Sequence, residues 1–295
     1  MNTLLDFYNK NYSLLFSDFS ISKRKKLFIG TKDNRKCRFC GKIKPDTTFR
    51  KEAHALPAFI GNKRIISLEE CDSCNEEFGK TLEDHFAKFS LPSRVISQVR
   101  GRVGVPSYKH KIDKRSRIDF KDMLSIIGVE GGNPFVEHRP DHNQIVLNFI
   151  REPYVPVQVF KCLVKMGLSL LPSNEVGYFE KLIKWVRSNH GSEGYPFSKL
   201  PCFITFTPGP MPYKGVINFL FKRKDENGCV PYLTYIIAFG NEMYQIFIPS
   251  FEKDRHLQGK NVILKNFPSS YMYDSEYPYG KSKCTLCDLT SNEIK

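Results

Sequence analysis

Apolar residues in this chain change period from one stretch to the next. Phe78, Leu82, Phe86 and Phe89 recur at three- and four-residue spacing, which predicts a helix running on from Asn75. Residues 157–171 form a largely apolar helix pattern stopped by Pro172. Ser173 or Asn174 caps a second helix over 175–188, which holds Tyr178, Phe179, Leu182, Ile183 and Trp185. Strand-like runs follow at 203–207, 216–221, 232–239 and 243–248. The turns Asp225-Glu226-Asn227-Gly228 and Gly240-Asn241 make the last three an antiparallel meander, which 144–150 can join. Earlier, a short strand carrying His54 and a second one, Ile65-Ile66-Ser67-Leu68, flank the turn Ile60-Gly61-Asn62-Lys63. The fold class is α+β. No 18-residue uncharged apolar window occurs, so no membrane span is expected. Near the N-terminus leucines precede Lys23-Arg24-Lys25-Lys26, the reverse of a secretory signal, and the expected location is cytoplasmic.

With 41% apolar and 26% charged residues among 295, the chain can bury a core, and the length is that of two domains or one large one. Charge sharpens the division. Lys plus Arg number 45 against 31 Asp plus Glu, a net +14. Residues 1–118 hold 25 basic and 13 acidic side chains, whereas 119–295 hold 20 and 18. A basic block joined to a near-neutral one favours a polyanion partner, most simply nucleic acid; the plainer alternative is solubility alone. Two stretches carry the excess. Residues 23–44 contain ten Lys or Arg and one Asp. Residues 94–117 contain Arg94, Arg100, Arg102, Lys109, Lys111, Lys114, Arg115 and Arg117 against one Asp, and Gly101, Gly104 and Pro106 mark them as loop or extended chain. With Lys51, they are candidate phosphate contacts giving salt-sensitive binding with little sequence preference.

Nine cysteines add a metal signal. Cys37-Arg38-Phe39-Cys40 and Cys71-Asp72-Ser73-Cys74 are two CxxC pairs with 30 residues between them. Each such turn aims two thiolates at one centre, so the two together close a tetrahedral zinc site; the alternative is four ordinary buried thiols. Gly41 suits the tight turn after the first pair. Cys162, Cys202 and Cys229 stand alone in apolar runs and read as small core residues. Cys284 and Cys287 form a third CxxC near the C-terminus, either free thiols in a mobile tail or a ligand pair in a homodimer.

The order Cys37, Cys40, then His54-Ala55-Leu56-Pro57, then Cys71-Asp72-Ser73-Cys74-Asn75 resembles the zinc-containing branch of the HNH nuclease family. The resemblance covers about residues 37–90 and implies a ββα-metal core. It implies that His54 is the general base that deprotonates a water attacking the scissile phosphorus. It also implies a divalent metal, magnesium or manganese, held near the histidine by an acidic or polar side chain and by a helix residue. Asn75 matches the helix position. Many members carry Asp immediately before the histidine; here that residue is Ala53, and Glu52, on the same strand face as His54, can replace it. Glu83 lies eight residues after Asn75, about 80° round the helix, and is the preferred second ligand, with His85 in reserve. The family's loop asparagine is not evident in the stretch Ile65-Ile66-Ser67-Leu68 before the second pair.

The domain reading is a basic arm (1–36), a zinc-binding HNH domain (37–100), a basic linker (101–118) and an α+β domain (119–295) that senses or selects the target. The rear half contains no phosphate loop, GxGxxG, HExxH or nucleophile elbow. Its dense aromatics serve as core and sheet surface, or as a platform for a base or small ligand. Chains with such a front and rear look like bacterial defence or mobile-element nucleases. Three functions follow: an HNH endonuclease, with DNA the favoured substrate; a zinc-dependent nucleic-acid-binding module without catalysis; or an effector silent until residues 119–295 bind a ligand or protein partner.

Overall fold

Residues 3–20, 25–129, 135–189, 191–269 and 279–295 are described by the structure, a computed structural model; Lys23 and Arg24 of the first basic stretch lie outside them. The chain begins with helix α1 (Thr3–Asn11), strand β1 (Tyr12–Ser20) and strand β2 (Leu27–Ile29). Strands β3 (Ala53–His54) and β4 (Ile65–Ser67) enclose a 3-10 turn at Ala58–Ile60, and helices α2 (Asp72–Lys80) and α3 (Leu82–Ile96) follow. Short strands β5 (Tyr108–Lys109), β6 (Arg117–Phe120), β7 (Leu124–Ile127), β8 (Val136–Arg139) and β9 (Gln144–Leu147) come next. Helices α4 (Pro156–Ser169), α5 (Ser173–Val176) and α6 (Glu180–Arg187) lead into β10 (Pro201–Phe206), β11 (Tyr213–Arg223), β12 (Leu233–Gly240), β13 (Glu242–Ile248) and β14 (Lys283–Asp288).

Six strands form one sheet in the order β1-β11-β12-β13-β10-β14, every pair antiparallel. β11, β12 and β13 are the meander that the strand-like runs and the turns between them predict. β12 is buried throughout because both faces are covered. Its Leu233, Tyr235, Ile237 and Phe239 enter the main core with helix α4. Its Ile236 and Ala238, on the opposite face by strand alternation, pack with Met243 against Phe219, Phe221 and Phe267.

Several expectations meet a different arrangement. Residues 1–36 are no separate arm: β1 pairs with β11, with Asp18 opposite Asn218, and β2 runs parallel to β4. The 101–118 segment supplies β5 and the start of β6 to a three-stranded sheet with β7. β9 pairs with β8 in a two-stranded sheet instead of joining the meander, and its Ile145 is exposed. The helix expected from Asn75 starts at Asp72 and breaks at Thr81, whose hydroxyl donates to the Glu77 carbonyl at 2.7 Å and whose backbone (φ −112°, ψ −83°) leaves the helix. Beyond the break α3 runs on to Ile96, so Arg94 is helical. The helix read over 175–188 is divided by a 3-10 turn at Gly177–Phe179. Cys229 is exposed, unlike buried Cys162 and Cys202. Cys284 and Cys287 lie in β14, opposite Thr205 and Cys202, and not in a tail. Residues three apart on a strand face opposite sides, so the two do not converge on one ion.

Helix α4 is the structural axis. All its residues but Gln158 are buried. One core joins Leu56, Phe78 and Phe86 from the front of the chain to Phe160, Tyr235 and Tyr244 from the rear. Phe86 meets Tyr244 edge-on at 5.5 Å between ring centres. The front and rear therefore share their hydrophobic stabilisation.

Candidate active site and zinc centre

The first cysteine pair forms a tight loop. The Cys37 amide donates to the Lys42 carbonyl at 2.8 Å, and the Gly41 amide donates to the Cys37 carbonyl at 2.8 Å. Gly41 has φ +71°, a left-handed conformation that favours glycine. The second pair starts α2, with Cys71 at its N-cap. The four thiols lie within 4.8 Å of one another, and Cys40 Sγ is 3.7 Å from Cys71 Sγ. With Zn–S bonds of about 2.3 Å a tetrahedron has edges of about 3.8 Å, so the set suits zinc. Its electrostatics agree. The Cys37 thiol is drawn down to about 4, chiefly by its hydrogen bond with Cys74, and Cys74 is pushed up by the same contact. Four such groups ionise together only when a cation shares their charge.

Asp72, between the second pair's cysteines, ties the chain entering β3 to this centre. Its carboxylate accepts from Thr48 Oγ1 at 2.5 Å and from the Arg50 and Lys51 amides at 3.0 and 2.8 Å. Partial burial, which raises its pKa, is outweighed by these hydrogen bonds, and the carboxyl stays below its usual range.

The hairpin β3–β4 presents the histidine. Ala53 pairs with Ser67 and His54 with Ile66. Ala53 is 1% exposed and points into the core, while Glu52 is exposed and His54 half-buried. The hairpin is held open by Asn62, which is completely buried. Its Nδ2 donates to the Leu56 and Ile65 carbonyls at 2.7 and 3.1 Å, and its Oδ1 accepts from the Arg64 and Ile65 amides at 3.0 and 2.9 Å. An asparagine thus stands in the turn itself, after Gly61 and three residues before the strand that begins at Ile65. The Gly-Asn dipeptide was the available signal.

Around His54 the charges are arranged as one pair and one cluster of three. Glu52 faces Lys26 at 2.5 Å, with both side chains nearly half exposed. On the inner side, Lys165 Nζ from α4 lies 3.0 Å from Glu70 Oε2, 3.5 Å from Glu83 Oε1 and 3.4 Å from the His54 carbonyl oxygen. Lys165 and Glu70 side chains are 0% exposed and Glu83 is 22% exposed. Burial lowers the His54 pKa, with Glu52 and Glu83 opposing. His54 Nδ1 is buried without a hydrogen-bond partner among the described residues. Burial pushes Glu70 up to about 7 against the pull of Lys165, while Glu70 and Glu83 overcome the effect of burial on Lys165 and keep it charged.

The expected site residues therefore divide. Glu52 and Glu83 are the two carboxylates that bear on the His54 imidazole. Asn75 sits in the first turn of α2, half-buried. His85 is not free for a metal in this arrangement: its Nδ1 accepts from the Val155 amide at 3.1 Å, just before α4. Oxygen donors beside an imidazole suit a hard divalent cation. Yet among the described residues the four cysteines form the one set of His, Cys, Asp or Glu drawn together within 4.8 Å; Glu52, His54 and Glu83 do not close to that extent.

The basic residues divide as well. Arg94 is 5% exposed. Its guanidinium donates to the Ala87 carbonyl at 2.7 Å and to Ser90 Oγ at 3.1 Å, and it lies 4.7 Å from the Phe59 ring centre. It is a packing residue and not a phosphate contact. Lys51, Arg100, Arg102, Lys109, Lys111, Lys114 and Arg115 are exposed. Arg100 lines a groove of about 360 Å³ with Lys63, Arg64, Phe120 and Lys214. Lys214 comes from the near-neutral half, which local charge counting in the sequence passes over.

A histidine-bearing hairpin followed by a helix and clasped by two cysteine knuckles defines a ββα unit whose four thiols suit zinc. Residues 37–90, under a fifth of the chain, match the model of the HNH endonuclease family, which implies a nucleic-acid partner. No curated protein and no solved structure matches the chain. No helix among the described residues is long and apolar enough to cross a membrane.

Proposed function

We propose that the protein is a metal-dependent endonuclease that hydrolyses phosphodiester bonds, with DNA the favoured substrate and defence against foreign DNA the setting its resemblance implies. The observation that carries this reading is His54, set on the hairpin of an HNH unit between Glu52 and Glu83. Burial keeps the imidazole neutral at pH 7, the form that accepts a proton from water. The Asn62 and Asp72 hydrogen bonds fix the hairpin that carries it. Exposed Lys and Arg neutralise backbone phosphates and position the strand. When bound, a magnesium or manganese ion supplies charge stabilisation at the phosphate and departing 3′ oxygen, and Glu52, Asn75 and Glu83 are the residues that would hold it.

One observation favours the second reading, a binding module without catalysis: both carboxylates near His54 already face lysines. Incubation of supercoiled plasmid with the full chain decides between them. Nicking or linearisation that needs magnesium or manganese is expected. Retarded DNA that stays intact with either ion would establish binding alone.

A further inference from the structure

We propose that Lys165 is a positioning residue of the nuclease site, tying Glu83 and the backbone of His54 to helix α4. This rests on His54 being the base. Lys165 lies among Val164, Met166 and Leu168 on a helix whose surroundings are apolar, and packing alone asks for no charge there. A buried ion pair is by itself weak support for stability, because desolvation offsets the attraction. What sets Lys165 apart is where its ammonium ends. It reaches three separate elements of the HNH unit: the His54 carbonyl on β3 at 3.4 Å, Glu70 before the second knuckle at 3.0 Å and Glu83 in the first turn of α3 at 3.5 Å. It also lies 5.5 Å from the ring centre of Phe78 on α2.

The helix that carries it is fixed at both ends to the same unit. At the N-terminal end the Val155 amide donates to His85. At the C-terminal end Arg38, inside the first cysteine pair, donates to the Leu168 and Leu171 carbonyls at 2.6 and 2.8 Å. α4 cannot slide or tilt without moving Lys165, so the rear half of the chain sets where Glu83 and the His54 strand stand. Lys165 has no exposure and does not touch a substrate; it acts through the residues it holds.

The test uses the full chain. Lys165→Met with Glu70→Gln removes the ammonium and neutralises its fully buried partner, while Glu83 keeps access to water. Glu70→Gln alone is the control: it removes one of the two carboxylates that keep Lys165 charged and leaves Glu83, 3.5 Å away, to hold that charge and the contacts with Glu83 and the His54 carbonyl. Two readouts are taken. In hydrogen exchange by mass spectrometry, residues 52–56 are expected to exchange at least about tenfold faster in the double variant, with the two cysteine knuckles and the zinc content unchanged. In plasmid cleavage, kcat is expected to fall at least about tenfold with KM within about twofold, and the control to stay within about twofold of the unaltered chain. Unchanged exchange and unchanged kcat in a folded double variant would overturn the proposal. If the double variant does not fold, Lys165→Gln with Glu70→Gln, which keeps an amide pair in the same space, is read in the same way; failure of both to fold would assign Lys165 to structure alone. Faster exchange together with no cleavage by the unaltered chain would sink the nuclease reading and leave the tie standing.

Discussion

Replacing Asn62 by Ala tests the claim that one buried amide holds the active hairpin. The change removes four hydrogen bonds: two to the Leu56 and Ile65 carbonyls and two from the Arg64 and Ile65 amides. A net hydrogen bond contributes about 1 kcal/mol, and a buried group left unpaired costs about 1–3 kcal/mol. The turn borders half-exposed Gly61 and Arg64, so water reaches part of the vacated space. A loss of about 3–5 kcal/mol follows, a large share of the roughly 5–15 kcal/mol that stabilises a typical domain. The assay is guanidinium unfolding of the zinc-loaded chain, followed by fluorescence of Trp185. Because that tryptophan sits in the shared core, it reports loss of the front half as well. A lower midpoint with an unchanged slope is expected, because the slope follows the surface exposed and that is the same in both chains. Bound zinc should be retained under native conditions, since no cysteine is altered, while cleavage should fall with the hairpin's order. A loss below about 1 kcal/mol would show that the backbone of the turn holds itself and that Asn62 is incidental.

Other consequences are as direct. Cleavage should rise with pH along an acid limb centred below the ordinary imidazole value of about 6.5, because burial favours the neutral imidazole; Glu52→Gln removes a charge that raises the His54 pKa and should move that limb to lower pH, and a limb above 6.5 would contradict the assignment. Arg94→Ala should cost about 2 kcal/mol in denaturant unfolding and leave the salt dependence of DNA binding unchanged, because its guanidinium is spent on Ala87, Ser90 and Phe59. The triple change Arg100, Arg102 and Lys109 to Ala should do the opposite, reducing the slope of log K against log salt by up to about 0.9 per lost contact with no change in unfolding. Zinc chelation should expose the four knuckle thiols to a thiol reagent and destabilise the whole chain, since Cys37, Cys71 and Cys74 belong to the core that also holds Tyr235 and Tyr244; loss confined to residues 37–90 would refute the shared core.

What could be read from the sequence was whatever repeats locally. The strand-like apolar runs of β11–β13 with the turns between them, and the apolar period of α4, are local patterns, and the structure follows them. The two CxxC pairs, His54 and the helix beginning near Asn75 likewise appear at the spacing their chemistry needs. Long-range pairing was not legible. Nothing in Tyr12–Ser20 says that it will lie beside β11, more than 190 residues away, instead of forming part of a basic arm. Nothing around Lys165 says that an apolar helix places one ammonium between Glu70 and Glu83. Charge counting also misled at Arg94, where a position in a basic run is overruled by the helical face it occupies. Asn62 is hidden for a narrower reason: a residue that satisfies a strand's backbone need not stand in the strand, and this one stands in the turn before it.

The most direct measurement is single-turnover plasmid cleavage by His54→Ala in magnesium or manganese, on protein shown to hold one zinc ion and to melt with the unaltered chain. Positioned acid–base groups contribute on the order of 10²–10⁴-fold, so a loss of at least about a hundredfold at unchanged DNA affinity is expected. Cleavage by His54→Ala at the unaltered rate would contradict the account, and the phosphodiester chemistry would then have to be sought elsewhere in the chain.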